Sequence, residues 1–177
     1  AHARILDRLG VASLEVRSAE QLATVDALVV PGGESTTMSM LLERAGMLEP
    51  LRGRVAGWLP TFGTCAGLIL LASEIRDGRP DQHCLGALDL TVTRNAYGRQ
   101  IDSFETDLEV AGLDDPFHAV FIRAPVVERV GADVEVLASV DGHPVLCERG
   151  PVMVAAVHPE LSDDARLHRR WLRSAGL

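Results

Sequence analysis

The sequence predicts an α/β domain, a sheet crossed by helices. Three observations carry that prediction. Short apolar runs alternate along the chain with stretches of helical periodicity. Two of these runs end in glycine-containing junctions, Pro31-Gly32-Gly33 and Gly63-Thr64-Cys65-Ala66-Gly67, each followed by a helical pattern. The 177 residues amount to about one domain at roughly 150 residues each, and no repeat, low-complexity tract or Ser/Gly linker divides them.

Taken in order, residues 2–9 have helical periodicity and Gly10 is a plausible stop. Leu14-Glu15-Val16 suggests a strand. Residues 27–30 form a short apolar run before Pro31-Gly32-Gly33, as expected of a buried strand entering a loop. From 35 to 45 the apolar positions Met38, Leu41, Leu42 and Ala45 fall at helical spacing, and Gly46 ends the pattern. Residues 59–62 predict a strand ending at Gly63, and the wholly apolar stretch 66–72 predicts a helix buried on most of its surface. Residues 76–84, polar and broken by Gly78 and Pro80, predict a surface loop. Strands follow near 88–93, 105–110, 119–123 and 134–138. Residues 144–147 and 152–157 predict a hairpin across Glu148-Arg149-Gly150-Pro151. A last helix begins near Asp163 and Asp164, whose charges suit a helix N-terminus.

Composition narrows the function. With 17 basic against 25 acidic residues the net charge is −8, which argues against a nucleic-acid coat or a basic membrane binder. No stretch approaches 18 uninterrupted apolar residues, so no membrane span is expected. The first residues do not form a signal peptide. Three cysteines, without paired spacing, argue against a disulfide framework and for a reducing cytoplasm. No two cysteines lie close together and His158 has no histidine four residues on, so no metal site is expected.

The sharpest chemical feature is Gly63-Thr64-Cys65-Ala66-Gly67. A short strand turning directly into a helix is the setting of a nucleophile elbow, with Cys65 in the reactive place. Such a turn strains and exposes the nucleophile, and glycines two residues to either side let neighbouring backbone approach. The helix start favours thiolate over thiol, and the Ala66 N–H points where an oxyanion would form. Composition supplies a G-x-C-x-G by chance only about 0.02 times in this chain. The rival reading is a buried structural cysteine.

A cysteine nucleophile needs a base. Of six histidines, His158 ends the apolar run 152–157 and is followed by Pro159-Glu160. In an extended segment residues i and i+2 share a side, so Glu160 is placed to orient His158 in a Cys65–His158–Glu160 relay. A hydrogen-bonded histidine at a strand end is the alternative. His2, His83, His118, His143 and His168 read as solvated. A glycine N–H in Pro31-Gly32-Gly33-Glu34-Ser35 is placed to serve as a second oxyanion donor; the alternative is an ordinary glycine-rich connection between strand and helix. The missing Lys-Ser/Thr excludes a phosphate loop. Arg94 and Arg123, at or near predicted strand ends, are either carboxylate-recognising groups or solvated edge arginines.

Five segments in one order then resemble the triad-type (class I) glutamine amidotransferases, and among them the glutaminase subunits of pyridoxal 5′-phosphate synthase. They are Pro31-Gly32-Gly33-Glu34-Ser35-Thr36-Thr37, Phe62-Gly63-Thr64-Cys65-Ala66-Gly67-Leu68, Arg94-Asn95 with Gly98-Arg99-Gln100, Phe121-Ile122-Arg123-Ala124-Pro125, and His158-Pro159-Glu160. The resemblance spans nearly the whole chain. It implies one flavodoxin-like three-layer α/β/α domain over 1–177 with a mixed, mostly parallel sheet. It implies hydrolysis of L-glutamine to L-glutamate and ammonia, with Cys65 as nucleophile and His158 and Glu160 completing the relay. Gly33, Glu34, Ser35, Arg94, Ile122 and Arg123 then match the glutamine-binding positions, and Gly33 and Ala66 the oxyanion donors. The implied partner is a β/α-barrel synthase subunit in a hetero-oligomer, which takes the ammonia for pyridoxal 5′-phosphate (vitamin B6) synthesis. No metal or cofactor is expected. Family members begin with an apolar strand and a Leu-Gln-Gly-like turn, which this sequence lacks, so the sheet is expected without that strand. The alternatives are the glutaminase of another biosynthetic complex and a docking module that no longer turns over glutamine.

Overall fold

A computed structural model describes residues 1–94 and 103–177. Its main sheet has five strands in the order β1 (Leu28–Val30), β2 (Thr61–Thr64), β10 (Val152–Ala155), β9 (His143–Arg149) and β8 (Glu135–Val140). β1, β2 and β10 run parallel; β9 and β8 continue antiparallel. β2 lies between β1 and β10 and every residue of it is buried, as a parallel strand covered on both faces must be. A second sheet joins β3 (Ala72–Ile75), β4 (Leu88–Thr93) and β7 (Val126–Val130), and β5 (Ser103–Leu108) pairs with β6 (Phe117–Ile122) as a hairpin. The fold is therefore α/β with mixed sheets, built around three parallel strands.

The helices follow the expected punctuation. α1 (His2–Arg8) gives way to Gly10 at φ +78°. α3 (Ser35–Arg44) and α4 (Leu48–Ala56) carry the chain from β1 to β2, the crossover that parallel strands require. α5 (Ala66–Leu71) is buried at all six positions, at roughly 1.5–3 kcal/mol for each fully buried Leu or Ile. α6 (Arg166–Ser174) buries Leu167, His168, Trp171 and Leu172 on one face, with Trp171 tilted against Phe62 at 5.8 Å between centroids.

Several elements depart from the sequence pattern. Residues 14–16 form no strand; Leu14 is exposed and the segment has no ladder partner among the described residues. α2 (Ala19–Thr24) arises where no element is expected, with the Ser18 hydroxyl accepting from Gln21 N–H at 3.3 Å as its N-cap. α4 contains Pro50 and Gly53, which lower local helix propensity, but Leu48, Leu51 and Val55 bury one face and tertiary packing prevails. β3 continues from α5 with no breaker, its Glu74 accepting from Thr91 Oγ1 at 2.8 Å. β7 is likewise unannounced. No described helix is long and apolar enough to cross a membrane.

Candidate active site

Three chain segments leave the parallel strands at the same edge of the sheet: 31–34 after β1, Cys65 after β2 and 156–160 after β10. In open α/β sheets this carboxyl edge is where ligands bind. Cys65 sits between β2 and α5 at φ +50°, ψ −104°, a left-handed conformation that costs a non-glycine residue about 1–3 kcal/mol and persists only when its surroundings fix it. Here they do. Cys65 N–H donates to the Ala155 carbonyl at 2.8 Å, fastening the elbow to β10. A Cβ on Gly67 would stand 2.0 Å from the Val30 carbonyl oxygen, and one on Gly63 would stand 2.8 Å from the Gly67 oxygen. Only glycine lets α5 approach β1 and β2 so closely.

His158 N–H donates to the Val120 carbonyl at 2.9 Å, which ties the segment after β10 to β6. Its Nδ1 lies 2.8 Å from Glu160 Oε1, leaving Nε2 for another partner. The relay geometry differs from expectation in one respect. Residues 158–160 are not extended; Pro159–Leu161 is a 3₁₀ turn, and that turn, rather than strand alternation, brings Glu160 back to His158.

The electrostatics bind the three groups together. Hydrogen bonding to Cys65 first, then to Glu160, raises His158 to about 10 against the opposing effect of burial. Burial pushes the Glu160 carboxyl up, yet the His158 hydrogen bond and the neighbouring histidines outweigh it and hold the group below its usual value. Burial alone pushes the Cys147 thiol up to about 12, and burial also raises Cys84. Neither has a base beside it among the described contacts.

Of the candidate binding residues, Ile122 is at the site: its carbonyl oxygen lies 3.9 Å from Cys65 Sγ. Arg123 follows it at φ +43° and is exposed. Gly32 rather than Gly33 touches the pair, since a Cβ there would meet His158 Cε1 at 2.7 Å and Cys65 Cβ at 3.5 Å. Gly33 faces Met38. Glu34, Ser35 and Arg94 form a separate network. Glu34 is the N-cap of α3, accepting from Thr36 N–H at 3.0 Å and Thr37 N–H at 2.7 Å. The Thr37 hydroxyl bond, foremost, with the helix N–H groups, lowers its carboxyl to about 2. Arg94 donates to Glu34 at 3.1 Å, Thr36 at 2.7 Å and Gln82 at 2.8 Å, while Gln82 Nε2 donates to Ser35 Oγ at 2.9 Å. The segment 95–100, part of the arginine-containing motif, lies outside the described residues.

Two histidines read as solvated are not. His168 is fully buried on α6 and the His2 side chain is only 11% exposed. Both stand behind Glu160. The signal for His168 was present in its spacing, one residue from Leu167 and three from Trp171, inside the apolar stripe of its helix. His83, His118 and His143 do remain at the surface.

The profile of the SNO glutamine amidotransferase family matches residues 1–175. The chain belongs to that family. Curated relatives include a protein of Mycobacteroides abscessus, 57% identical over 97% of this chain and 89% of its own length, and one of Corynebacterium jeikeium, 57% identical over 97% and 89%. Both are named pyridoxal 5′-phosphate synthase subunit PdxT. A solved glutamine amidotransferase superposes with a TM-score of 0.93 at 51% identity, covering 99% of this chain and 93% of that one. A glutamine amidotransferase from Thermotoga maritima superposes at 0.59 with 12% identity over 99% and 75%, a likeness of fold.

Proposed function

We propose that this amidotransferase hydrolyses L-glutamine to L-glutamate and supplies the ammonia to a pyridoxal 5′-phosphate synthase. One observation carries the proposal: a strained Cys65 whose sulfur raises His158, itself fixed at 2.8 Å by Glu160. The SNO family match and the names of the relatives support the substrate and the pathway.

The proposed chemistry follows from the placement. Cys65 gives its proton to His158 Nε2 as its Sγ attacks the side-chain carboxamide carbon of glutamine, and the carbonyl electron pair moves onto its oxygen. The backbone N–H groups of Ala66 and Gly33 hold that oxyanion. His158 Nε2–H passes its proton to the amide nitrogen, the C–N bond breaks and ammonia leaves a γ-glutamyl thioester. Water then adds to the thioester carbonyl and gives its proton to His158. Collapse expels the Cys65 sulfur and frees glutamate. Glu160 keeps the imidazole in the tautomer and orientation this requires and supports its positive charge. Ile122, Arg123 and the 33–35 loop contact glutamine, with Arg94 holding the loop through Glu34. A β/α-barrel synthase subunit in the cytoplasm is the ammonia acceptor.

Glutamate release from glutamine tests this, with the chain alone and with its cognate synthase. Activity in the mixture that disappears in a folded Cys65→Ala variant supports the proposal. Undiminished release by Cys65→Ala overturns the mechanism. A docking module would release no glutamate and would show no selective labelling of Cys65 by a glutamine-like electrophile.

A further inference from the structure

Behind Glu160 lies a second polar layer that the relay does not use. Glu160 Oε1 is taken by His158, while Oε2 is buried and makes no hydrogen bond of good geometry among the described residues. His2 Nε2 stands 3.4 Å from that oxygen and 3.2 Å from Thr64 Oγ1, on the strand residue next to Cys65. On its other side His2 Nδ1 lies 2.9 Å from His168 Nε2. His168 is itself wholly buried, edge-on to Phe62 at 5.4 Å. Burial lowers His168 to about 4 and also lowers His2, so both rings are neutral near pH 7.

Neutral rings carry one N–H each, and the arrangement selects where. If His168 Nε2 donates to His2 Nδ1, then His2 carries its proton on Nε2, facing the Glu160 carboxylate. This leaves an unpaired lone pair on His168 Nδ1, which has no partner among the described residues. The opposite arrangement turns an Nε2 lone pair toward a carboxylate and buries an unpaired N–H at His168 Nδ1. The first is favoured on both counts.

We propose that His2 is a positioning residue for Glu160: its Nε2–H, set by His168, serves the outer carboxylate oxygen and so holds the inner one on His158. The inference rests on the Cys65–His158–Glu160 reading. It extends the line of contacts to five side chains drawn from α1, the elbow, the 3₁₀ turn and α6. It also explains two buried imidazoles that a hydrophobic core has no other use for.

The test uses the full chain in complex with its cognate synthase, as parent and as two variants. His2→Gln keeps an N–H donor near the reach of Nε2; His2→Leu does not. Glutamate release gives kcat and KM. A second readout needs neither glutamine nor partner: the pH dependence of Cys65 alkylation by iodoacetamide, followed by peptide mass mapping so that Cys84 does not contribute. His2→Leu is expected to lower kcat about tenfold with KM within about twofold, the scale of one lost hydrogen bond. Its alkylation half-point should move up by about one pH unit, because a less supported imidazolium stabilises the thiolate less. His2→Gln should stay near the parent in both. A parental half-point and kcat in His2→Leu overturns the proposal; so do equal losses in both variants, which mark a packing role. If His2→Leu does not fold, His168→Leu carries the same expectation, since it removes the donor that sets the His2 tautomer. A parental complex that releases no glutamate counts against the functional reading alone, and the alkylation half-point still decides the role of His2.

Discussion

Gly32→Ala is the most direct probe of the link between loop packing and chemistry. Gly32 is free of positive φ, so alanine suits its backbone and the effect is purely steric. The added methyl would lie 2.7 Å from His158 Cε1 and 3.2 Å from Nδ1, about 0.7 Å inside ordinary contact at the closer atom. The loop is anchored by the Glu34 cap and the elbow by Ala155, so the imidazole is the part that yields. A shift of about 1 Å in a reacting group costs on the order of a hundredfold in rate, or about 2.7 kcal/mol of barrier. The stability cost should sit near the low end of the roughly 1–3 kcal/mol seen on overpacking, because Gly32 is only half-buried. The assay is glutamate release with the cognate synthase, alongside thermal unfolding. The expected result is a folded protein with kcat reduced about a hundredfold and a much smaller change in KM. A folded Gly32→Ala protein that releases glutamate at the parental rate contradicts this account, since it would show that His158 tolerates displacement or that the loop gives way instead.

Other expectations follow from the same contacts. Gly67→Ala places a methyl 2.0 Å from a backbone oxygen, which no rotamer relieves, and should destabilise the fold by about 3 kcal/mol or more; a urea midpoint close to the parent's would contradict it. Glu34→Gln should cost about 0.5–1 kcal/mol at pH 7 through the weakened cap, discounted for the exposure of the carboxylate. Because the folded carboxyl is depressed to about 2, the parent's advantage is complete above the usual 4.5 and vanishes as pH falls toward 2; a gap that persists unchanged at acid pH would argue against an ionised cap. In Cys65→Ala the foremost support for the His158 imidazolium is removed, so its titration, followed by proton NMR of the imidazole, should move from about 10 toward 6.5. An unmoved titration would mean that Glu160 alone sustains it.

Much of the site can be read directly in the chain, for a physical reason. The elbow, the glycines that admit it and the His-Pro-Glu turn are local devices, written in consecutive residues. The parallel strands are equally plain, because strands such as β2 and β10, buried on both faces, leave unbroken apolar runs. What escapes depends on distant partners. α4 holds its helix by burying Leu48, Leu51 and Val55 despite Pro50 and Gly53. Residues 14–16 have strand composition but nothing to pair with among the described residues. The motif around Glu34 does not announce that its side chain caps α3 and binds Arg94. His2 and His168 read as solvated because only the assembled fold brings α1 and α6 together behind Glu160.

The strand order has a consequence for the timing of synthesis. β10, which separates β2 from β9 and carries the anchor of the elbow at Ala155, is made only after β3 to β9 have followed β2 off the ribosome. Until it leaves the ribosome, β2 lacks one of its two neighbours, and Cys65 lacks both its backbone tether and the neighbouring His158. A chain that stops short of β10 therefore carries a Cys65 without either contact. Both contacts form together when β10 slots into the middle of the sheet, a long-range pairing of the kind that closes slowly.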